Sequence, residues 1–198
     1  MSHFFAVLSR MKYISRWGLM RNTRNENLCE HSFEVAVIAH ALAVLRNVRF
    51  GGHADAGRAA ALALFHDSAE IFTGDMPTPV KYYNGKIRSV YKEIERDAQK
   101  RLLGFLPCDL RESYRPLLEG SGPGDAELLP LVKAADKISA LIKCAEEKRM
   151  GNAEFSQAET TLRKAVEDLH IPEADCFLKE FFPSYSLTLD EQERASNI

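Results

Sequence analysis

The sequence predicts a single-domain, all-α protein built as a helical bundle, and three observations support this fold class. Apolar residues recur three and four positions apart along most of the 198-residue chain, the spacing of helices that bury one face. Strand-like alternation of apolar and polar residues is nearly absent. Glycines stand where several periodic segments end, at Gly51-Gly52, Gly104 and Gly151.

The first half of the chain predicts three helices. Residues 2–13 form a short amphipathic segment, and a polar loop over residues 15–28 follows it. The long helix over residues 29–48 carries an apolar face with three- and four-residue spacing, and Asp55 is placed to cap the next helix, over residues 56–72. A loop with two prolines then covers residues 75–84.

The second half predicts further helices and one polar end. We expect helices over residues 86–103, 109–118, 126–150, 154–169 and 173–181. The tail from about residue 190 is polar and is expected to fray. Residues 1–198 then form one domain with a core over about 3–185, long enough to bury a sizeable interior without disulfides.

Composition and charge exclude several classes of function. Hydrophobic residues make up 45% and charged residues 27%, as in ordinary soluble globular proteins. The net charge of −2 offers no general attraction for a nucleic acid polymer or an anionic membrane. Residues 1–25 nevertheless contain several basic residues and no acid, which indicates either a positive wall for a small anion or a solvated basic face.

Cysteine usage and hydropathy favour a cytoplasmic protein. The four cysteines are far apart and form no CxxC pair, which argues against a zinc knuckle or a disulfide framework and suits a reducing compartment. The N-terminus lacks the apolar core of a secretory signal. The most apolar run, residues 35–45, is too short to span a bilayer, so we expect no membrane partner.

The stretch from His66 to Pro79 is the centre of the predicted site. An imidazole and a carboxylate, His66 and Asp67, interrupt an alanine- and leucine-rich helix, and a second carboxylate follows at Glu70. If the helix continues to residue 72, the spacing puts all three on one face. The loop after Gly74 would carry further polar residues past the same opening.

Two residues elsewhere complete a predicted metal site. His31 lies in the first turn of the long helix, and Asp136 lies on the inward stripe of a later one. A buried carboxylate needs a partner, which is either a cation or a surface salt bridge. With His66 and Asp67 these residues offer nitrogen and oxygen donors without thiolate, the set that suits one divalent metal such as Mn, Co, Fe, Zn, Ni or Cu.

The motifs extend beyond the His-Asp doublet and carry a resemblance. They are Arg16-Trp17, Glu30-His31-Ser32, His66-Asp67 with Glu70, and the run from Thr73 to Lys81. Over nearly its full length the chain resembles the HD-domain superfamily of metal-dependent phosphohydrolases, and within it the bacterial HD-domain 5′-deoxynucleotidases. The resemblance implies an HD-type helical fold, a deoxyribonucleoside 5′-monophosphate as substrate and a homodimer.

The resemblance also implies roles for individual residues. The metal ligands would be His31, His66, Asp67 and Asp136. The catalytic residues would be Glu70, Arg16 and Asp67, with Glu70 acting in acid–base catalysis and Arg16 orienting the phosphate. The residues in contact with the substrate would be Arg16, Trp17, His31, Asp67, Asp75, Met76, Pro77, Thr78 and Asp136.

Elementary chemistry supports the roles of the Arg16-Trp17 pair independently. An arginine stays charged and can grip a phosphate with two donors, although a solvated loop arginine is the plain alternative. Trp17 is the only tryptophan, and its position in a polar loop between arginines favours a ligand wall over a core anchor. A flat indole against the sugar would leave no space for a 2′-hydroxyl group.

Other functions remain open at this point. One is a different HD phosphohydrolase that cleaves a cyclic nucleotide, a nucleoside triphosphate or an alarmone, although a triphosphate would require more basic residues near the cleft. Another is a nucleotide- or metal-binding regulatory module without turnover, which the full ligand set with Glu70 argues against. A purely structural role would have to bury many polar groups at a cost.

Overall fold

A computed structural model describes residues 1–81 and 83–195 of the chain. Helices account for 74% of the structure, no strand occurs in the described ranges, and the all-α, single-domain prediction is confirmed. The helices are α1 (Phe4–Leu8), α2 (Leu28–Arg49), α3 (Ala56–Phe65), α4 (Glu70–Thr73), α5 (Thr78–Lys81), α6 (Gly85–Gly104), α7 (Cys108–Glu119), α8 (Asp125–Arg149), α9 (Ser156–Glu167), α10 (Pro172–Glu180) and α11 (Leu189–Ala195). Short 3₁₀ turns cover Ser9–Tyr13, Ala153–Phe155 and Phe182–Ser186.

Helices α2, α3 and α8 pack against one another and form the centre of the main core. Leu42, Leu62 and Leu131 come from these three helices in turn and are almost completely buried. A smaller apolar cluster, which includes Phe4 and Leu102, joins α1 to α6 and α7. Ala63 of α3 belongs to the main core, whereas Phe65 and Phe72 pack against the smaller cluster, so the chain passes from one apolar region to the other through the segment 66–73.

The start of α2 is fixed by a capping box. The side chain of Asn27 accepts hydrogen bonds from the backbone N–H groups of Cys29 and Glu30, at 2.9 and 3.1 Å. In return the Glu30 carboxylate accepts from the backbone N–H of Asn27 at 3.1 Å. These bonds satisfy donors that every helix start leaves free and fix the position of His31 in the first turn.

The long helix α2 is apolar enough over its 22 residues to cross a membrane by length and composition, contrary to the inference from residues 35–45 alone. Residues 35–45 are only the most continuous apolar run, and Leu28, Phe33 and Val48 extend the apolar character of α2 beyond it. Of the 18-residue apolar window within α2, 56% is buried inside the protein. The core of the bundle therefore accounts for the hydropathy of α2.

The prediction of one helix over residues 56–72 is wrong. Helix α3 ends at Phe65, residues 66–69 form a turn, and α4 begins only at Glu70. The turn is tightened by i to i+3 bonds, from Ser68 N–H to the Phe65 carbonyl at 3.0 Å and from Glu70 N–H to the Asp67 carbonyl at 2.9 Å. His66 and Asp67 are therefore presented by the turn, and Glu70 by the start of α4.

Smaller corrections concern segment ends. The predicted helix over 2–13 is divided into α1 and a 3₁₀ turn, and the helix over 154–169 begins with a 3₁₀ turn. The predicted loop 75–84 contains α5, one turn that begins at Thr78. The tail from residue 190, expected to fray, continues as α11 to Ala195, and its last three residues lie outside the described ranges.

The loop between the first 3₁₀ turn and α2 is attached to α8 through Glu147, whose side chain is 1% exposed. Its carboxylate forms an ion pair with Lys143 and accepts from the backbone N–H groups of Thr23 and Arg24. The Asn152 amide adds a bond at 2.8 Å. Burial alone would raise the pKa of Glu147, but the bonds from Lys143, Asn152 and Thr23 hold it well below its ordinary value.

We predict that Glu147→Gln lowers the free energy of unfolding by about 3 kcal/mol at pH 7, because Lys143 loses its buried partner. The folded-state pKa lies below the unfolded value of about 4.3, so the stabilisation is complete above that pH and is lost as pH falls. The difference between wild type and variant should therefore shrink below about pH 4. Urea unfolding of wild type and variant at pH 7 and at a pH below about 4 measures this difference.

The exposed neighbour Glu146 provides the matched control. Glu146→Gln should change the free energy of unfolding by no more than about 0.5 kcal/mol at either pH. Equal losses in the two variants would show that the Glu147 network does not stabilise the fold.

Candidate functional site

Four side chains from three parts of the chain converge at the junction of α2, the turn 66–69 and α8. One donor atom from each of His31, His66, Asp67 and Asp136 lies within 4.8 Å of the others. His31 Nε2 is 3.2 Å from Asp136 Oδ1, and His66 Nε2 is 3.0 Å from Asp67 Oδ2. His31 and Asp136 are more than a hundred positions apart in the sequence, and the packing of the three segments brings the four residues together.

His66 is oriented by the end of α3. Its Nδ1 lies 2.7 Å from the carbonyl oxygen of Ala63 in the last turn of α3, which also accepts a longer bond of 3.4 Å from the backbone N–H of His66. The Nδ1–H group therefore donates to this carbonyl, and Nε2 faces the cluster. The break in the predicted helix thus has a local cause and a consequence for the site.

His31 is oriented by a chain of two hydrogen bonds behind it. The Ser139 hydroxyl donates to Glu34 at 2.6 Å, which leaves its oxygen free to accept from His31 Nδ1 at 3.1 Å. Burial raises the pKa of Glu34 despite the bond from Ser139. This arrangement fixes the His31 ring and directs its Nε2 at Asp136 and Asp67.

The cluster fits a divalent metal on its own geometry. The Nε2 atoms of His31 and His66 are buried and lack a hydrogen-bond partner among the described residues. Buried polar atoms are normally satisfied, and two orphaned nitrogens beside two carboxylates are the donor set of a metal centre. Burial opposes a charge on His66, but Asp67 and Asp136 outweigh it and raise its pKa to about 9, so these carboxylates favour a cation here.

Arg16 and Trp17 stand at the edge of this cluster. Arg16 Nη1 lies 3.7 Å from Asp67 Oδ2, and only 10% of the Arg16 side chain is exposed. Burial would lower the pKa of Arg16, but Glu26 and Asp67 raise it above its ordinary value. The indole of Trp17 packs on Phe155 with 5.3 Å between ring centroids.

The model of the YfbR-like 5′-deoxynucleotidase family matches residues 3–185. This chain belongs to that family. It is 52% identical to a 5′-deoxynucleotidase of Photorhabdus laumondii over 191 residues, 96% of each chain. A 5′-deoxynucleotidase of Yersinia pestis is 50% identical over 191 residues, again 96% of each chain.

Solved structures with the same fold include HD-domain phosphohydrolases, which confirms the expected fold type. The structure of a Listeria innocua HD-domain phosphohydrolase matches with a TM-score of 0.78 and 24% identity, covering 96% of this chain and 92% of that one. A cyanophage S-2L HD phosphohydrolase, bound to dA and one catalytic Zn²⁺ ion, matches with a TM-score of 0.63 and 21% identity, covering 91% and 95%.

In this YfbR-like chain Glu70 is buried beside the cluster. Its side chain is among the buried polar groups, and its Oε2 lacks a hydrogen-bond partner among the described residues. Burial, followed by the charges of Asp67 and Asp75, raises the pKa of Glu70 to about 9, against the opposing effect of Lys81. The structure therefore places this carboxyl group in an electronegative, water-poor position next to Asp67.

The predicted nucleotide-facing loop is only partly drawn into the site. The Asp75 carboxylate accepts from the backbone N–H of Trp17 at 3.3 Å, which connects this loop to the N-terminal one. Met76 and Pro77 are half-buried, whereas Thr78 is exposed at the start of α5. The assignments of these three residues to the substrate stay predictions.

Three residues of the site escaped the sequence-based prediction. Ser139 lies on the same predicted inward stripe as Asp136, a position that could have indicated a buried hydroxyl near the site. Glu34 follows His31 by three positions, a spacing that could have indicated the shared face. Glu26 gave no signal, because it lies in an irregular loop whose course depends on tertiary contacts.

We predict that Ser139→Ala weakens metal binding by about 10- to 100-fold, because His31 loses the acceptor that fixes its ring. The measurement is titration of the metal-stripped protein with Mn²⁺, Co²⁺ or Zn²⁺ in a calorimeter. Ser32→Ala is the matched control. The Ser32 hydroxyl on α2 is buried like that of Ser139, but it has no hydrogen-bond partner among the described residues. Similar affinities for wild type and Ser139→Ala would refute the orienting role.

Proposed function

We propose that this chain hydrolyses deoxyribonucleoside 5′-monophosphates to deoxynucleoside and phosphate with one bound divalent metal. The observation that carries the proposal is the four-residue cluster with a buried arginine at its edge. Arg16 reaches within 3.7 Å of Asp67, so a phosphate bound at the cluster could contact metal and guanidinium together. Membership in the 5′-deoxynucleotidase family supports the choice of substrate.

The metal would be held by His31, His66, Asp67 and Asp136. When bound, a divalent cation lowers the pKa of water and polarises a phosphoryl oxygen. Manganese, cobalt, iron, zinc, nickel and copper all accept this donor set, and the Zn²⁺ of the similarly folded cyanophage enzyme supports including zinc among the metals tested.

Arg16 would orient the phosphate and balance its charge. A guanidinium can donate two parallel hydrogen bonds to phosphate oxygens, and in a water-poor site such bonds count for more than in bulk water. Lys81 Nζ lies 3.0 Å from Glu95 Oε1, so this ion pair already partly neutralises the charge that Lys81 could offer a phosphate. One arginine with a metal suits the two negative charges of a monophosphate better than the larger charge of a triphosphate.

The reaction needs one proton to leave the water and one to reach the leaving oxygen. The oxygen of water forms a bond to phosphorus while the bond between phosphorus and the 5′ oxygen breaks. We assign Glu70 to this proton transfer, because its buried Oε2 has no hydrogen-bond partner among the described residues and its backbone is bonded to that of Asp67. The 5′ oxygen leaves as the hydroxyl group of the deoxynucleoside.

Trp17 and the segment from Asp75 to Thr78 would form the nucleoside side of the cleft. Trp17 is fixed on one side by Phe155 and through its backbone by Asp75. A rigid indole against the furanose would exclude the 2′-hydroxyl group of ribonucleotides by contact. The remaining residues of the loop, Met76, Pro77 and Thr78, would line the nucleotide.

We further infer that residues from about 3 to 185 act as one catalytic domain in the cytoplasm. The four proposed ligands span positions 31 to 136, and the three helices that carry or flank them share one apolar core. Cysteine side chains that form no disulfide among the described residues agree with a reducing compartment.

Phosphate release from matched pairs of deoxy- and ribonucleoside 5′-monophosphates tests the function. The protein is stripped of metal and assayed after single metals are restored. Metal-dependent hydrolysis of the deoxy substrate with much slower turnover of its ribo counterpart is the expected result. Equal rates on deoxy and ribo substrates would refute the proposed preference for deoxyribose. Absence of phosphate release with every metal tested would refute the proposed hydrolase activity.

Asp67→Ala should lower kcat/KM by at least about 1,000-fold, because a metal ligand and the partner of Arg16 are lost together. Asp97→Ala, which removes an exposed carboxylate on α6, is the matched control and should retain full activity. Undiminished turnover by Asp67→Ala would refute its assignment as a ligand.

We also propose that the protein is a homodimer joined along α2. Phe33, Val37, Val44 and Val48 are 67%, 54%, 40% and 76% exposed and lie along one side of this helix. An exposed apolar stripe of this kind is typical of a protein interface. A second copy of the chain would cover it by symmetric packing of the same face.

Val37→Asp should convert the dimer to a monomer, because a charge would be buried at the interface. Light scattering after gel filtration measures the mass. Val90→Asp on α6, where the valine is 46% exposed, serves as the control and should leave the dimer intact. A monomeric wild type, or a dimeric Val37→Asp, would contradict this interface.

A further inference from the structure

The segment between the first 3₁₀ turn and α2 is closed at its base. Ser15 and Asn27 form an isolated antiparallel bridge, and the N–H of Leu28 donates to the carbonyl of Ile14 at 2.9 Å. Glu26 lies at this closure, and its carbonyl accepts from the N–H of Arg16 at 3.0 Å. The closure therefore brings the end of the loop beside the residues that begin it.

The Glu26 carboxylate lies between three residues of the proposed site. Its Oε2 accepts from Trp17 Nε1 at 2.8 Å and lies 3.7 Å from Arg16 Nε. Its Oε1 lies 3.6 Å from Nδ1 of His31. Only 12% of the side chain is exposed, so water competes little with these contacts.

Trp17 requires such a contact because its backbone is in the left-handed region, with φ of 59°. Residues with a large side chain rarely adopt this conformation, and the surrounding structure must hold them there. The bond to Glu26 fixes the indole nitrogen, while Asp75 holds the backbone N–H. The indole is thereby fixed at both its ring and its backbone.

Arg16 depends on Glu26 for a different reason. Its Nε lies 3.7 Å from Glu26 Oε2 and its Nη1 lies 3.7 Å from Asp67 Oδ2, so the two carboxylates share one guanidinium. Its buried Nε has no hydrogen-bond partner among the described residues. The guanidinium is therefore held between these two carboxylates by ion pairing and not by a bond from Nε, and without Glu26 we expect it to move towards Asp67.

We propose that Glu26 is a positioning residue that holds Arg16 and Trp17 in register, and thereby sets the phosphate geometry and the preference for deoxyribose. The proposal rests on the proposed function for its kinetic consequences. The contacts themselves are independent of it. Glu26 acts through its neighbours.

Two variants separate the two tasks of this carboxylate. Glu26→Gln keeps an oxygen that can accept from Trp17 but removes the charge beside Arg16. Glu26→Ala removes both. Glu146→Gln is the matched control, because Glu146 lines the same cavity as Glu26 and the substitution also removes one carboxylate charge.

The single tryptophan provides a readout that does not depend on turnover. In Glu26→Ala the fluorescence of Trp17 should shift to longer wavelength and become more accessible to an added quencher. In Glu26→Gln and Glu146→Gln both properties should stay as in the wild type. Thermal unfolding followed by circular dichroism identifies any variant that has lost its fold. If Glu26→Ala does not fold, the kinetics of Glu26→Gln still test the contact with Arg16.

Kinetics should show a matching division. We expect Glu26→Gln to lower kcat by about 10-fold through misplaced Arg16, with the ratio of kcat/KM between deoxy and ribo substrates retained. Glu26→Ala should lower kcat by about 10- to 100-fold and also reduce that ratio. A merely structural residue would change neither the ratio nor the fluorescence in this pattern.

Unchanged Trp17 fluorescence in folded Glu26→Ala would overturn the proposal, and so would unchanged kcat in folded Glu26→Gln. If the wild type cleaves deoxy and ribo substrates equally, the proposed substrate preference fails, and the role of Glu26 in that preference fails with it. The fluorescence and kcat comparisons then still decide whether Glu26 positions Trp17 and Arg16. The two failures are therefore distinguishable.

Discussion

The arrangement of the protein depends on two carboxylates and two imidazoles brought within 4.8 Å at a junction of apolar helices. Such a cluster is unfavourable in an apolar core unless each group has a partner, because burial removes the water that would solvate it. The surroundings provide these partners from outside the cluster. The Ala63 carbonyl holds one imidazole and Ser139 the other, while Arg16 balances Asp67. The Nε2 atoms of the two imidazoles, which have no hydrogen-bond partner among the described residues, face into the cluster, where a cation would lie.

Two carboxylates outside the cluster hold the same loop at different points. Glu147 on α8 binds the backbone near Thr23, and Glu26 holds the side chains near the start of the loop. The loop has little regular structure of its own, so these contacts determine its path across the cleft. A rigid helical core thus supports a wall that helix packing alone could not position.

Helix period and residue chemistry were enough to predict the all-α fold and to select the four residues of the cluster. They could not predict that α3 would end before His66, because the competing bond from the imidazole to Ala63 depends on where the ring points. Nor could they identify Glu26, whose partners are set by a bridge between Ser15 and Asn27. The periodicity of apolar residues predicts helices. It does not predict the tertiary contacts through which groups such as Glu26 orient the side chains of a site.

The attachment of the loop through main-chain groups has a consequence for which substitutions the loop of this chain can accept. Glu147 accepts from the backbone N–H of Arg24, a group that every residue except proline provides at that position. The path of the loop is therefore insensitive to much of the side-chain sequence along it. Evolution, or a protein engineer, can exchange side chains such as Arg24 and alter the rim of the cleft while the scaffold stays the same.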